Sequence, residues 1–94
     1  MPGTQLRRYE IKSGEMEQFL AAWRGIGPVR ESFGFRVEFA YVDPEQSEFV
    51  WAISHDRDFA TAEAEYYASP ARANVALDPA VHLAAMHLAM VHEP

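Results

Sequence analysis

Two stretches of this chain, Phe49–His55 and Val81–His92, put apolar side chains on both of their alternating faces, and a chain of 94 residues has little other mass with which to cover two faces. An antiparallel strand with one wet side alternates apolar and polar residues, because successive side chains point to opposite sides of the sheet. Here Phe49, Trp51 and Ile53 form one apolar set while Val50 and Ala52 form the other. In the last stretch Val81, Leu83, Ala85, Ala89 and Val91 are expected on one face and Ala84, Met86, Leu88 and Met90 on the other. The pattern predicts an assembly and leaves the substrate of any reaction unnamed.

Composition narrows the class. With 49% hydrophobic and 13% aromatic residues, the chain has material for one core and no room for two, so residues 1–94 are expected to form one domain. A formal net charge of -6 argues against nucleic acid or an anionic membrane as partner, since both are drawn by clustered Lys and Arg. Lys12 is the sole lysine, and the arginines are scattered, with only Arg7 and Arg8 adjacent; all are expected as surface charges. The absence of cysteine removes disulfides, thiolate nucleophiles and Cys-ligated metals. No basic segment leads into an apolar one and no apolar run approaches a membrane span, so a soluble cytoplasmic protein is expected.

Periodicity orders the elements. Thr4–Ile11 reads as a strand, with Ser13 as N-cap of the helix that follows. Met16, Phe19, Leu20 and Trp23 recur at helical spacing, with Glu15 and Glu17 where the helix dipole favours negative charge. Gly25, Gly27 and Pro28 interrupt this stripe, so Pro28 is expected to open a second short helix that Gly34 closes. Phe35, Val37, Phe39 and Tyr41 form a period-two strand. The turn around Pro44 is expected to hold five residues, which pairs Tyr41 with Trp51 and Phe39 with Ile53; four would put those side chains on opposite faces. Asp58 caps a helix over Phe59–Ala68 with Phe59, Ala62 and Tyr66 inward and Glu63 and Glu65 outward, and Ser69-Pro70 restarts a short helix through about Val75. Leu77-Asp78-Pro79 links to the closing strand, Val81–His92.

The order strand, helix, strand, strand, helix, strand folds as an α+β, ferredoxin-like four-stranded antiparallel sheet with two helices on one face, because each crossover follows the same hand. The other face is left bare. An apolar sheet face of several hundred Å² is more than soluble monomers usually expose, so a homodimer through the sheet face is expected.

The chain also resembles a known family. Leu6-Arg7-Arg8-Tyr9-Glu10-Ile11 before Ser13-Gly14, the Trp23 helix, Gly34-Phe35, Phe49-Val50-Trp51 and above all Ala64-Glu65-Tyr66-Tyr67-Ala68-Ser69-Pro70-Ala71-Arg72 look like the NIPSNAP family over nearly the whole length. The resemblance implies a dimeric α+β barrel and little chemistry, since bacterial members are mostly of unknown activity. The wider superfamily implied by that barrel includes cofactor-free monooxygenases, haem-degrading enzymes, isomerases and polyketide cyclases. Fold does not choose among these.

Three constellations offer chemistry. His82, His87 and His92, spaced five apart on one strand, are about 16 Å from neighbour to neighbour and lie on alternating faces, so no shared metal is expected. Haem-degrading relatives hold iron through a helix histidine, and neither expected helix has one, so no cofactor is expected. Tyr9, Trp23, Tyr41, Trp51, Tyr66 and Tyr67 belong to elements that face each other between helices and sheet, where relatives of this fold place a pocket; a core role competes with a role as pocket walls. A small hydrophobic ligand such as a phenol or quinone would suit them, with His55 or His87 as the candidate proton acceptor. Ser69 is expected as a cap and not a nucleophile, and Arg72 as a partner of Glu65, Asp78 or a ligand anion. The function expected is therefore a small dimeric ligand-binding domain. The alternatives are a cofactor-independent monooxygenase, cyclase or isomerase acting on an aromatic or polyketide-like substrate, and a structural dimer module.

Overall fold

The computed structural model describes residues 2–94, in the order β1 (Gly3–Ile11), α1 (Met16–Ser32), β2 (Arg36–Asp43), β3 (Glu48–His55), α2 (Phe59–Ala68), α3 (Pro70–Ala73), a 3-10 helix (Pro79–His82) and β4 (Leu83–Val91). The strands form one antiparallel sheet in the order β2-β3-β1-β4, with the helices on one side. This is the ferredoxin-like α+β layout expected from the element order.

Helix α1 differs from its sequence reading in three ways. It is continuous through Pro28 rather than broken there, its N-cap position is Glu15 with no side-chain cap bond, and Ser13 stands outside it. Interior proline removes one backbone hydrogen bond and strains the preceding turn. The helix persists because its inward stripe runs on past Trp23 to Ile26 and Arg30, both buried. Gly34 ends this region as expected, at φ 89°, and a Cβ there would stand 2.9 Å from Nε2 of His55. Only glycine satisfies both conditions comfortably.

The β2-β3 hairpin overturns the expected register. Asp43 pairs with Glu48, so four residues form the loop, and Tyr41 pairs with Val50 and Phe39 with Ala52. Ser47, at φ 53°, makes the tight return. A register shift between Val37 and Phe39 then puts Val37 opposite Ile53 on the helix side, while Phe39 and Tyr41 turn to the open face. A bulge also resets β4. Glu10 pairs with Ala85 but Ile11 with Leu83, so Leu83 joins Met86, Leu88 and Met90 on the helix side, and Ala85, His87, Ala89 and Val91 share the other. The strand begins at Leu83, because Pro79 opens a 3-10 turn capped by Asp78; Val81 and His82 therefore lie outside it.

The core is aromatic and has two lobes. Under α1, Tyr9, Phe19, Trp23, Phe49 and Trp51 meet mostly edge to face, the Phe49 ring centroid lying 5.0 Å from that of Phe19 and 4.9 Å from that of Trp23. Under α2, Phe35 contacts Phe59, Tyr66 and the ring of His55. Full burial of a side chain such as Phe19 stabilises by about 1.5–3 kcal/mol. The expected inward trio Phe59, Ala62 and Tyr66 is buried as read, and Asp58 and Ser69 cap α2 and α3 through bonds from the backbone N–H of Thr61 and Arg72. Helix α3 ends at Ala73, short of Val75.

The helices cover less of the sheet than the element order suggests. On the open face Phe39, Tyr41 and Val91 are exposed beside the half-buried Leu6 and Val50. On the helix side the outer strand β4 leaves Met86, Leu88 and Met90 exposed as well. No helix is long and apolar enough to cross a membrane among the described residues.

Candidate functional site

A cavity of about 530 Å³ opens between the helical layer and the β3-β1-β4 part of the sheet. Its floor is Arg7 and Tyr9 from β1, Trp51 from β3, and Leu83, Met86 and Leu88 from β4. Its walls are Trp23, Ile26 and Arg30 from α1, Glu63, Tyr66 and Tyr67 from α2, and Arg72 from α3, with Pro79 and Ala80 at the rim. Strand alternation puts Arg7 and Tyr9 on the same side, and helical spacing carries Trp23, Ile26 and Arg30 along one face of α1.

Six of the aromatic and arginine candidates converge here: Tyr9, Trp23, Trp51, Tyr66, Tyr67 and Arg72. Tyr41 does not. The four-residue hairpin loop places it on the opposite face, 69% exposed. Neither candidate histidine lines the cavity. His55 is buried beside Gly34, where the backbone N–H of Arg57 donates to its Nδ1 at 3.0 Å, so its Nε2 carries the hydrogen and donates to the Phe33 carbonyl at 2.7 Å. Both ring nitrogens are thereby engaged in holding the end of α1 to β3. His87 lies on the open face, 2.9 Å from a carboxylate oxygen of Glu10. His82 pairs with Glu15 at 2.8 Å, and His92 follows the end of β4. Among the described residues no group of three His, Asp or Glu side chains is arranged to hold a metal ion.

Sequence reasoning missed the charged heart of the site. Arg7, expected on the surface, is 3% exposed, and Arg30 is 1% exposed. Glu63, expected outward, turns in, and its Oε1 is shared between Arg7 Nη1 at 3.2 Å and Arg30 Nη2 at 3.4 Å. Arg7 also donates through Nε to the Tyr9 hydroxyl at 2.7 Å, through Nη1 to the Gln5 side chain, and through Nη2 to the Tyr67 hydroxyl at 3.3 Å. The Tyr67 hydroxyl accepts a second bond from Arg30 Nη2 at 3.1 Å. Two signals pointed this way. Arg7 stands in phase with the apolar residues Tyr9 and Ile11, and Arg30 follows Trp23 and Ile26 at helical spacing.

Electrostatics keep Arg7 charged. Burial works to lower the Arg7 pKa, but the neighbouring Tyr9 and Tyr67 oxygens and Glu63 outweigh it, and the net shift is upward. Burial raises the Tyr66 pKa against the opposing pull of Arg30 and Arg72. The Arg30 guanidinium carbon sits 4.2 Å from the Tyr66 ring centroid and 4.9 Å from that of Phe35, a cation–π clamp that fixes its plane. Arg72 pairs with Asp78 at 3.3 Å, one of the partners expected for it, and its guanidinium carbon lies 5.7 Å from the Tyr67 ring centroid. Ser69, beneath it, receives the Arg72 backbone N–H and donates to the Tyr66 carbonyl at 2.6 Å, so its hydroxyl is used in capping.

No protein-family model matches the sequence, and no curated protein is significantly similar to it. Solved structures are similar in fold. A NIPSNAP family protein from Agrobacterium tumefaciens superposes with a TM-score of 0.85 at 14% identity, covering 100% of this chain and 94% of that one. An uncharacterized NIPSNAP domain protein from Burkholderia xenovorans gives 0.82 at 16% identity, with 100% and 95% covered. A putative antibiotic biosynthesis monooxygenase from Nitrosomonas europaea gives 0.77 at 12% identity, with 98% and 89% covered. The chain thus has the fold that these NIPSNAP proteins share with the monooxygenase, a ferredoxin-like sheet roofed on one side by helices.

Proposed function

We propose that this chain is a NIPSNAP-type domain that binds a small, largely hydrophobic molecule in the cavity between its helices and sheet. The observation that carries this reading is the cavity itself: about 530 Å³, walled by Tyr9, Trp23, Trp51, Tyr66, Tyr67, Leu83 and Leu88. That volume lies within the range of roughly 300–1,000 Å³ usual for small-molecule sites. Only two tryptophans occur in the sequence, and both line the cavity, so intrinsic fluorescence reports directly on its occupancy. Native mass spectrometry of freshly purified protein should show a retained small molecule, and its removal should change the tryptophan emission. A protein that carries nothing and whose emission no aromatic compound alters would defeat the proposal.

The domain is proposed to act as a homodimer joined through the open sheet face. Four strands about 4.8 Å apart and about eight residues long at 3.3 Å each give roughly 500 Å² in projection and more in accessible area. That approaches the about 800 Å² each partner buries in an ordinary stable interface. Phe39, Tyr41 and Val91, exposed on this face, supply its apolar contacts, and a two-fold arrangement of identical faces is the simplest closure. A cytoplasmic location is proposed with it, in keeping with a net charge of -6 that gives the surface no pull toward anionic membranes.

A second reading, a cofactor-independent monooxygenase, cyclase or isomerase acting on an aromatic or polyketide-like substrate, draws some support from the fold likeness to the Nitrosomonas europaea protein. Neither candidate proton acceptor, His55 or His87, lines the cavity, so that reading calls for a proton acceptor from its lining. Oxygen uptake with phenolic and quinol substrates distinguishes it from simple binding.

A further inference from the structure

The buried side-chain polar atoms without a partner among the described residues belong to residues around one hollow. Among the described residues, the buried side-chain atoms without a hydrogen-bond partner in the protein are Trp23 Nε1, Trp51 Nε1, Arg30 Nε and Nη1, Arg72 Nε and the Tyr66 hydroxyl. Every one of these side chains lines the cavity. The indole and guanidinium groups can only donate, and the Tyr66 hydroxyl can do so as well. Native proteins pair nearly all buried polar groups, so orphan donors gathered on the side chains around one space point to the complement that space accepts: hydrogen-bond acceptors.

Charge makes the complement more specific. Three arginines, Arg7, Arg30 and Arg72, line the cavity against the single carboxylate of Glu63. Counting Asp78, which pairs with Arg72 from outside the lining, three cations still face two anions. A positive interior within a chain of net charge -6 is a local choice and not a consequence of composition. Arg30 is nine-tenths buried and more, with only Nη2 engaged in hydrogen bonds, and its plane is held between aromatic rings, so it meets a ligand already ordered.

We propose that the cavity selects a flat apolar monoanion, with a carboxylate or comparable oxyanion on the side of the Arg30 and Arg72 guanidinium groups and an aromatic body against Trp23, Met86 and Leu88. The inference rests on the cavity being a small-molecule site and adds the charge of what it takes. Charged hydrogen bonds formed out of water discriminate strongly against a neutral isostere, because the isostere leaves a buried cation uncompensated.

Naphthoate and naphthamide have nearly the same shape and differ in charge, and titration of each against the tryptophan emission tests the idea. Naphthoate should bind at least about tenfold more tightly, the equivalent of one charge-assisted hydrogen bond. Arg72→Gln should remove most of that preference, weakening naphthoate much more than naphthamide. Arg30→Gln should do the same, and if that buried substitution prevents folding, the Arg72→Gln result decides alone, with its thermal midpoint as the check on folding. Equal affinity for the two compounds overturns the anion inference and leaves the hydrophobic site intact. Binding of neither overturns both. A preference that survives Arg72→Gln in full overturns the assignment of the anion to this pair of arginines.

Discussion

Glu63→Gln tests whether the buried charge cluster holds the fold together as its geometry implies. The carboxylate is the acidic partner shared by two arginines whose side chains are 3% and 2% exposed, at 3.2 and 3.4 Å. Removing one member of a buried ion pair commonly destabilises by about 3–5 kcal/mol, because the remaining charge is left uncompensated. Four features reduce that here. Both contacts are longer than the about 2.7–2.9 Å of tight charge-assisted bonds. Glu63 itself is 19% exposed, and Arg7 keeps its bonds to Tyr9, Gln5 and Tyr67. The glutamine oxygen can still accept one hydrogen bond, so the expected loss is about 2 kcal/mol. At about 4–8 °C per kcal/mol for a chain of this size, the thermal midpoint should fall by about 8–16 °C. Far-ultraviolet circular dichroism during urea and thermal unfolding measures both quantities, and naphthoate should bind the variant several-fold more tightly, since the competing carboxylate is gone. A stability within about 0.5 kcal/mol of the parent, the usual range for a surface substitution, would refute the claim that Glu63 is part of the buried cluster.

Tyr66→Phe removes a buried hydroxyl that has no partner in the protein and should stabilise the free protein by about 1 kcal/mol at neutral pH. Because burial raises the Tyr66 pKa in the folded state, its contribution is complete below the unfolded value of about 10 and is lost as pH rises toward the folded value. The gap between variant and parent in denaturant midpoint should therefore widen above about pH 10, and a constant gap would contradict the burial argument. Gly34→Ala, at φ 89° and 2.9 Å from His55 Nε2, should destabilise by more than about 2 kcal/mol, whereas Gly25→Ala in α1, where a Cβ meets nothing within 4 Å, should gain about 0.5–1 kcal/mol. Phe39→Asp puts a charge on the open face without touching the core and should convert a dimer to a monomer in analytical ultracentrifugation at micromolar concentration. A parent protein that already sediments as a monomer would remove the dimer proposal.

Much of the fold was legible in the residues because it depends on local periods and caps. Phe59, Ala62 and Tyr66 share a helix face by spacing alone, and Asp58 and Ser69 cap because each precedes a helical turn. The element order led to the antiparallel sheet and to the meeting of Tyr9, Trp23, Trp51, Tyr66 and Tyr67. The register of β2 was not legible, since one residue more or fewer in a loop turns every side chain over, and the shift at Glu38 does so a second time. Nor was the continuity of α1, because the strain of Pro28 is local while the burial of Ile26 and Arg30 that offsets it comes from the sheet.

Residue types and their spacing were enough to establish the kinds of elements, their sequence along the chain and an apolar surplus on the sheet. Packing alone settled where the charge went. Arg7, Arg30 and Arg72 lie far apart along the chain and carry no common motif, and they meet only because β1, α1 and α3 border one hollow. Side-chain direction along one element is a short-range property, whereas the balance of charge in a cavity is a sum over elements that the chain brings together only when it folds.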